Sequence, residues 1–257
     1  MLQQAMRLDR FVSHATGLSR SQARALIRRG DILLDGLPVT DAARQVGEAQ
    51  RVERAGATLA LPEPLYLMLN KPCGVLSATS DSAQQTVLSL LPGALAARLH
   101  LVGRLDKETS GLLLLTDDGA WSHRVTSPNH HCPKTYIVQL AEPLIDDAER
   151  RLAQGLLLRN ETTPLRPASL QRLDALRVEI TVTEGRYHQV RRMFAALGNR
   201  VVSLHRQRIG GLTLDERLRP GQWRALTPAE RAAVLPCGKL HQADRVGPLP
   251  KVQVISE

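Results

Sequence analysis

Apolar positions near the N-terminus follow two periods. Leu8, Phe11, Val12 and Ala15 recur at helical spacing, and Gly17 stops that pattern. Ser19 then stands where a helix cap is expected, ahead of SRSQARALIRRG, whose Ala23, Leu26 and Ile27 form one apolar stripe. Gly30 closes this second helix. The period then falls to that of a strand. DILLDGLPV reads as two short apolar strands around an Asp-Gly turn. Residues 55–65, AGATLALPEPL, carry prolines and read as a linker. The expected division is therefore a small unit over 1–60, a larger one over 61–236, and a polar, flexible tail over 237–257.

In the larger unit YLMLNKP predicts a strand that Pro72 stops, and GLLLLTDDG predicts a buried strand followed by a turn. KTYIVQL and ALRVEITVTEG alternate as strands do. DDAERRLAQG, YHQVRRMFAALGN and TPAERAAVL predict helices, the second with Val190, Phe194 and Leu197 turned inward and Gly198 as its stop. Strands outnumber helices without regular alternation. That pattern predicts an α+β fold on a mixed, mainly antiparallel sheet.

Charge narrows the class. The chain has 257 residues and a formal net charge of +9, drawn mainly from arginine. Guanidinium forks suit phosphate and stack on bases, so a polyanion is the expected partner. Arg20, Arg24 and Arg28, four residues apart, form a basic stripe on the second helix. No span-length apolar run and no signal peptide are present, so a cytoplasmic protein without membrane contact is expected. The three cysteines are scattered and indicate no disulfide framework. His130, His131 and Cys132 superficially resemble metal ligands, but no second cluster accompanies them, so no metal is expected. Phosphate loops, dinucleotide fingerprints, nucleophile elbows and zinc-protease motifs are all missing from the sequence, and no cofactor is expected.

One carboxylate draws the chemistry. In GRLDKETSGLLLLTDDG, Asp106 lies between Arg104 and Lys107, just ahead of four leucines. This stretch closely resembles the catalytic motif of the pseudouridine synthases, in the branch that begins Gly-Arg-Leu-Asp. LNKPCGVLSATSD, KTYIVQL and EGRYHQVRRMFAALGNRVVSLHRQRIGGLTLD resemble further segments of that branch, in the same order. RLDRFVSHA with LSRSQARALIRRGDILLDG resembles an S4-type RNA-binding domain. WSHRVTSPNHHCPKTY and LHRQRIGGLTLD are most similar to the RsuA type, which acts on the RNA of the small ribosomal subunit. Members of that type tend to begin at the methionine of MRLD, which makes Met6 a candidate start.

The resemblance implies an enzyme that isomerises a uridine of ribosomal RNA without a cofactor. It implies Asp106 as nucleophile, Arg191 as its basic partner and Tyr136 as the ring that stacks on the target base. Arg104 is expected to fill the gap left by a base drawn out of its helix. The stripe Arg20, Arg24 and Arg28, with Lys71 and Arg186, is expected to contact RNA. The implied partner is 16S rRNA or a small-subunit assembly intermediate, met by a monomer. A 23S rRNA enzyme of the same branch and a non-catalytic rRNA-binding assembly factor are the alternatives; a pure binder has no use for the set Asp106, Tyr136 and Arg191. Tyr187 reads as structural and His188 as ambiguous. His205 and Arg206 read as RNA contacts or as loop residues beside a Gly-Gly turn.

Overall fold

The computed structural model describes residues 6–47 and 49–235. The expected tail over 237–257 lies outside the described residues, as does Met1. The chain divides into two compact units between Glu63 and Pro64.

The first unit contains β1 (Met6–Arg7), α1 (Leu8–Thr16), α2 (Arg20–Arg28), β2 (Ile32–Leu34), β3 (Leu37–Pro38), β4 (Gln45–Val46), β5 (Val52–Arg54) and β6 (Ala57–Thr58). Ser19 and Gln22 cap α2 reciprocally, and Gly17 ends α1 in the left-handed conformation with φ 72°. Leu8, Val12, Ala23, Leu26, Ile27, Ile32 and Val52 share one core. Asp35 and Gly36, with φ 53° and 80°, turn β2 into β3. Both central residues of such a hairpin need positive φ, which the Asp-Gly pair supplies. Ala55 and Gly56 repeat this geometry with φ 49° and 79° and join β5 to β6. The start of the expected linker is therefore a hairpin, and Leu59 packs against the core. An alanine at positive φ gives no turn signal in sequence, which is why this hairpin was hidden.

The second unit runs through β7 (Tyr66–Lys71), α3 (Gly93–Ala96), β8 (His100–Val102), β9 (Thr109–Thr116), α4 (Gly119–Thr126), β10 (Lys134–Leu140), α5 (Ala148–Gln154), β11 (Ser169–Arg172), β12 (Arg177–Val182), α6 (Gln189–Ala196), β13 (Val201–Ile209), β14 (Leu212–Thr213), β15 (Trp223–Ala225) and α7 (Pro228–Ala233). Nine strands form one sheet in the order β11-β12-β10-β13-β9-β7-β15, with β14 beside β13 and β8 beside β9. Every pairing is antiparallel except that of β13 with β9.

The four leucines of β9 are fully buried because both faces of this inner strand are covered. Leu112 and Leu114 join Met68, Val102 and Trp121 on one face; Leu113 and Leu115 join Leu67, Leu69 and Val87 on the other. Each such leucine contributes about 2 kcal/mol over an exposed one, so β9 is a rigid support. β13 was not expected as a strand. Its middle, His205-Arg206-Gln207-Arg208, reads as polar, yet it lies between β10 and β9 at the centre of the sheet.

Candidate active site

Four neighbouring strands place a single row of residues across the sheet. Tyr136 of β10 pairs with Arg206 of β13, Arg206 with Gly111 of β9, and Gly111 with Lys71 of β7. Directly paired residues share a face, so this row forms a floor. Gly111 is required in it. With φ 104°, a Cβ there would stand 2.3 Å from the Arg206 carbonyl oxygen and 2.7 Å from its nitrogen. Only glycine lets β9 and β13 approach this closely.

The loop joining β8 to β9 carries Asp106, and its backbone is anchored at successive carbonyls. The Arg104 carbonyl accepts from Arg206 Nη1 at 3.5 Å. The Leu105 carbonyl accepts from Ser77 Oγ at 2.7 Å, and the Leu105 amide donates back to the same hydroxyl at 3.1 Å. The Asp106 carbonyl accepts from the Thr109 amide at 3.0 Å. Lys71 Nζ donates to the carbonyls of Pro72, Lys107 and Thr109 at 2.9, 3.2 and 2.9 Å. Arg191 Nη2 donates to the Glu108 carbonyl at 2.9 Å. Three cationic side chains thus hold the loop from below and beside it, while the Asp106 side chain stays one-third exposed.

Lys71 is fully buried, so the expected RNA contact is replaced by this anchoring role. Three donated bonds from one nitrogen require an ammonium, since a neutral amine has only two N–H groups. Burial pushes its pKa down, opposed by the charges of Cys73, Glu108 and Asp106. Arg206 is likewise 3% exposed; its Nε donates to the Leu112 carbonyl at 2.8 Å. It is a sheet residue, not a loop contact for RNA. His205 points to the other face, its Nδ1 2.9 Å from Ser110 Oγ.

Arg191 and Arg192 diverge at the start of α6. Arg191 reaches the Asp106 loop through Glu108, and its Nη1 lies 3.4 Å from the Val201 carbonyl. The expected direct ion pair with Asp106 is not formed; Arg191 meets the loop backbone instead. Arg192 turns away, donating to Glu161 Oε1 at 2.8 Å and to the Arg159 carbonyl at 2.9 Å. The group that does face the carboxylate is His188, whose Nε2 is 3.6 Å from Asp106 Oδ1. His188 sits at φ 47° with its ring stacked on Tyr187. A histidine beside a Tyr and before a helix gave no sequence signal strong enough to place it.

Tyr136 is half-buried and packs against two apolar groups, one containing Phe194 and the other Leu105. Arg104 is exposed. Arg186 donates within the protein, to Glu184, Glu161 and the carbonyls of Thr163 and Pro164. His130 Nδ1 bonds to the Arg124 carbonyl, His131 Nε2 accepts from Arg166, and the Cys132 thiol donates to the Val234 carbonyl, so the three turn to separate partners.

In the first unit two arginines of the α2 stripe are held by a carboxylate that the sequence reading missed. Asp9 is fully buried and receives Arg7 at 3.2 Å, Arg20 at 3.0 Å and Arg24 at 2.9 Å. Burial pushes its carboxyl up, but hydrogen bonds from Arg7, Arg24 and Arg20 outweigh this and hold it well below the usual carboxylate range. The guanidiniums remain about half exposed, so the stripe is a fixed array with an outer edge. Arg28 is exposed.

The RNA pseudouridylate synthase family matches residues 65–196, and the S4 domain matches residues 6–52. The chain is 49% identical over 230 residues to the ribosomal small subunit pseudouridine synthase A of Salmonella typhimurium, covering 89% of this chain and all of the relative. It is 47% identical over 226 residues to the protein of the same name from Haemophilus influenzae, covering 88% and 97%. A solved structure described as a pseudouridylate synthase superposes with a TM-score of 0.67 at 45% identity, covering 90% of this chain and all of that one.

Proposed function

The chain belongs to the RNA pseudouridylate synthase family, and we propose that it converts one uridine of small-subunit ribosomal RNA to pseudouridine with Asp106 as nucleophile. The observation that carries this reading is the Asp106 loop. Its carbonyls are anchored by Arg206, Ser77, Lys71 and Arg191, while the carboxylate is left partly exposed. A nucleophile needs this combination of a fixed backbone and an accessible head. Lys71, Arg191 and Arg206 bring positive charge to the loop backbone, and His188 Nε2 stands 3.6 Å from Asp106 Oδ1.

The reaction is an isomerisation. The bond from ribose C1′ to uracil N1 breaks, the base turns within the site, C5 joins C1′, the proton on C5 passes to solvent, and N1 takes up a proton in its place. Atoms and electrons balance without a cofactor. Tyr136 offers a flat face for the turning base and a hydroxyl near the floor. Arg104, exposed at the loop's entrance, fills the space the uridine leaves; extracting a base costs a few kcal/mol that such filling offsets. Arg20, Arg24 and Arg28 grip phosphates and set register without reading sequence. The names of the relatives support the small-subunit substrate, either 16S rRNA or an assembly intermediate, and we take the enzyme to act as a monomer.

Release of tritium from a 16S rRNA transcript labelled at uracil C5 tests the proposal. Wild-type protein should release label, and Asp106→Asn should bind the transcript normally but release none. Turnover by Asp106→Asn near the wild-type rate would refute the nucleophile; no release by the wild type from 16S transcripts or particles would refute the substrate.

A further inference from the structure

The connection between β12 and α6 presents an aromatic ring that the reaction as described does not use. Tyr187 is 77% exposed, the highest value among the described large apolar and aromatic side chains. It is nonetheless ordered against a neighbour: its ring lies parallel to that of His188, with centroids 3.9 Å apart and 15° between planes. His188 in turn stands 3.6 Å from the Asp106 carboxylate. The turn that carries both rings is fixed. The Tyr187 carbonyl accepts from Arg192 Nη1 at 3.3 Å, the Arg186 amide donates to Gln189 Oε1 at 2.9 Å, and the Arg186 guanidinium is bound on all sides. One face of Tyr187 is covered by imidazole and the other is open to solvent.

We propose that the open face of Tyr187 is a stacking site for an unpaired nucleobase adjacent in the RNA to the nucleotide that reaches Asp106. The inference rests on Asp106 being the reacting carboxylate. When a target base leaves its helix, its neighbour loses a stacking partner, and an aromatic face one side chain away from the carboxylate replaces it. Any base has a π-face, so this contact is tolerant of sequence and selects for an unpaired strand. The surroundings favour nucleic acid over an apolar partner: Arg104 and Lys107 flank the carboxylate as exposed cations, and the chain carries a net charge of +9. A rigid ring also contacts RNA at little cost in side-chain entropy.

The full chain and its Tyr187→Ala, Tyr187→Phe and Tyr187→Trp variants test this, with the labelled 16S transcript for turnover and filter binding for affinity. An exposed ring can be replaced without loss of the fold, which thermal melting checks. Tyr187→Ala should weaken binding about tenfold, within the range of roughly 5- to 150-fold for losing one stacked base. Its slope of log affinity against log salt should match the wild type, because no phosphate contact is lost. The loss should appear in KM and leave kcat at saturating RNA within about a factor of two. Tyr187→Phe and Tyr187→Trp should restore affinity. The extra emission of Tyr187→Trp, beyond that of Trp121 and Trp223, should be quenched by single-stranded transcript and not by fully paired duplex. Wild-type affinity in Tyr187→Ala, absence of quenching, or equal quenching by duplex would overturn the proposal. A fall in kcat with affinity intact would also overturn it, placing Tyr187 in support of His188 alone. Binding and quenching need no turnover, so failure of the catalytic reading, seen as no tritium release from any protein, is told apart from failure of this one.

Discussion

Replacing Lys71 with methionine removes the anchor beneath the Asp106 loop while keeping the length and apolar stem of the side chain. Three hydrogen bonds from a cation disappear, to Pro72, Lys107 and Thr109. Bonds to charged groups contribute about 1.5 kcal/mol or more each, so the gross loss is roughly 5 kcal/mol. Two effects reduce it. The Lys107 carbonyl keeps the Gly74 amide at 2.9 Å, and methionine no longer carries the cost of burying an ammonium. The net loss should be about 3 kcal/mol. In urea the unfolding midpoint should fall with an unchanged slope.

The pH dependence has a definite sign. Burial lowers the folded-state pKa of Lys71 below the ordinary lysine value of 10.5. Between those two values the unfolded chain binds more protons than the native one, so this residue makes stability rise with pH across that alkaline window. Lys71→Met should remove that rise. It should also lower single-turnover tritium release by at least tenfold under conditions where the protein is fully folded, since a misplaced loop misplaces the carboxylate. A Lys71→Met protein with wild-type midpoint and rate would refute the anchoring role. Lost stability with a normal rate would show that the loop holds its shape without Lys71.

Arg191→Ala should lower turnover on the order of a hundredfold, by freeing the Glu108 carbonyl and removing a charge beside the loop; Arg192→Ala should change kcat little, because its partners, Glu161 and the carbonyls of Arg159 and Tyr187, all lie outside the Asp106 loop. Equal effects of the two in the same single-turnover assay would contradict this division. Asp9→Asn should destabilise the first unit by about 2 kcal/mol, a value discounted because its arginine partners are half exposed. Because the Asp9 carboxyl is held low in the fold, the wild type has this stabilisation above the unfolded carboxylate pKa and loses it as pH falls, so the two proteins should converge in acid melts. RNA binding by Asp9→Asn should weaken as the arginine array loosens, and unchanged affinity would show that the array needs no fixing.

What the chain discloses before folding, and what it withholds, follows from how far each signal reaches. Local patterns were legible: the leucine run of β9, the capped α2 and the Asp-Gly hairpin are each set by neighbours within a few residues. The family motif around Asp106 was legible because it is contiguous. Lys71 and Arg206 were not, since their character depends on strands that meet only in the fold. A lysine in a basic chain reads as an RNA contact until the register Lys71–Gly111–Arg206–Tyr136 places it under a sheet. Asp9 was missed for the same reason: its arginine partners at 20 and 24 lie on another helix, and their four-residue spacing reads as a free stripe. In each case a cation that sequence assigns to the substrate is first bound by the protein. That arrangement has a functional sense. On the proposed reading, the positive charge beside the Asp106 loop is best kept inside the protein, where the phosphates of a polyanionic substrate cannot draw it away. Lys71 and Arg206 are buried, whereas Arg104 and Arg28 are exposed, as their proposed contact with RNA requires.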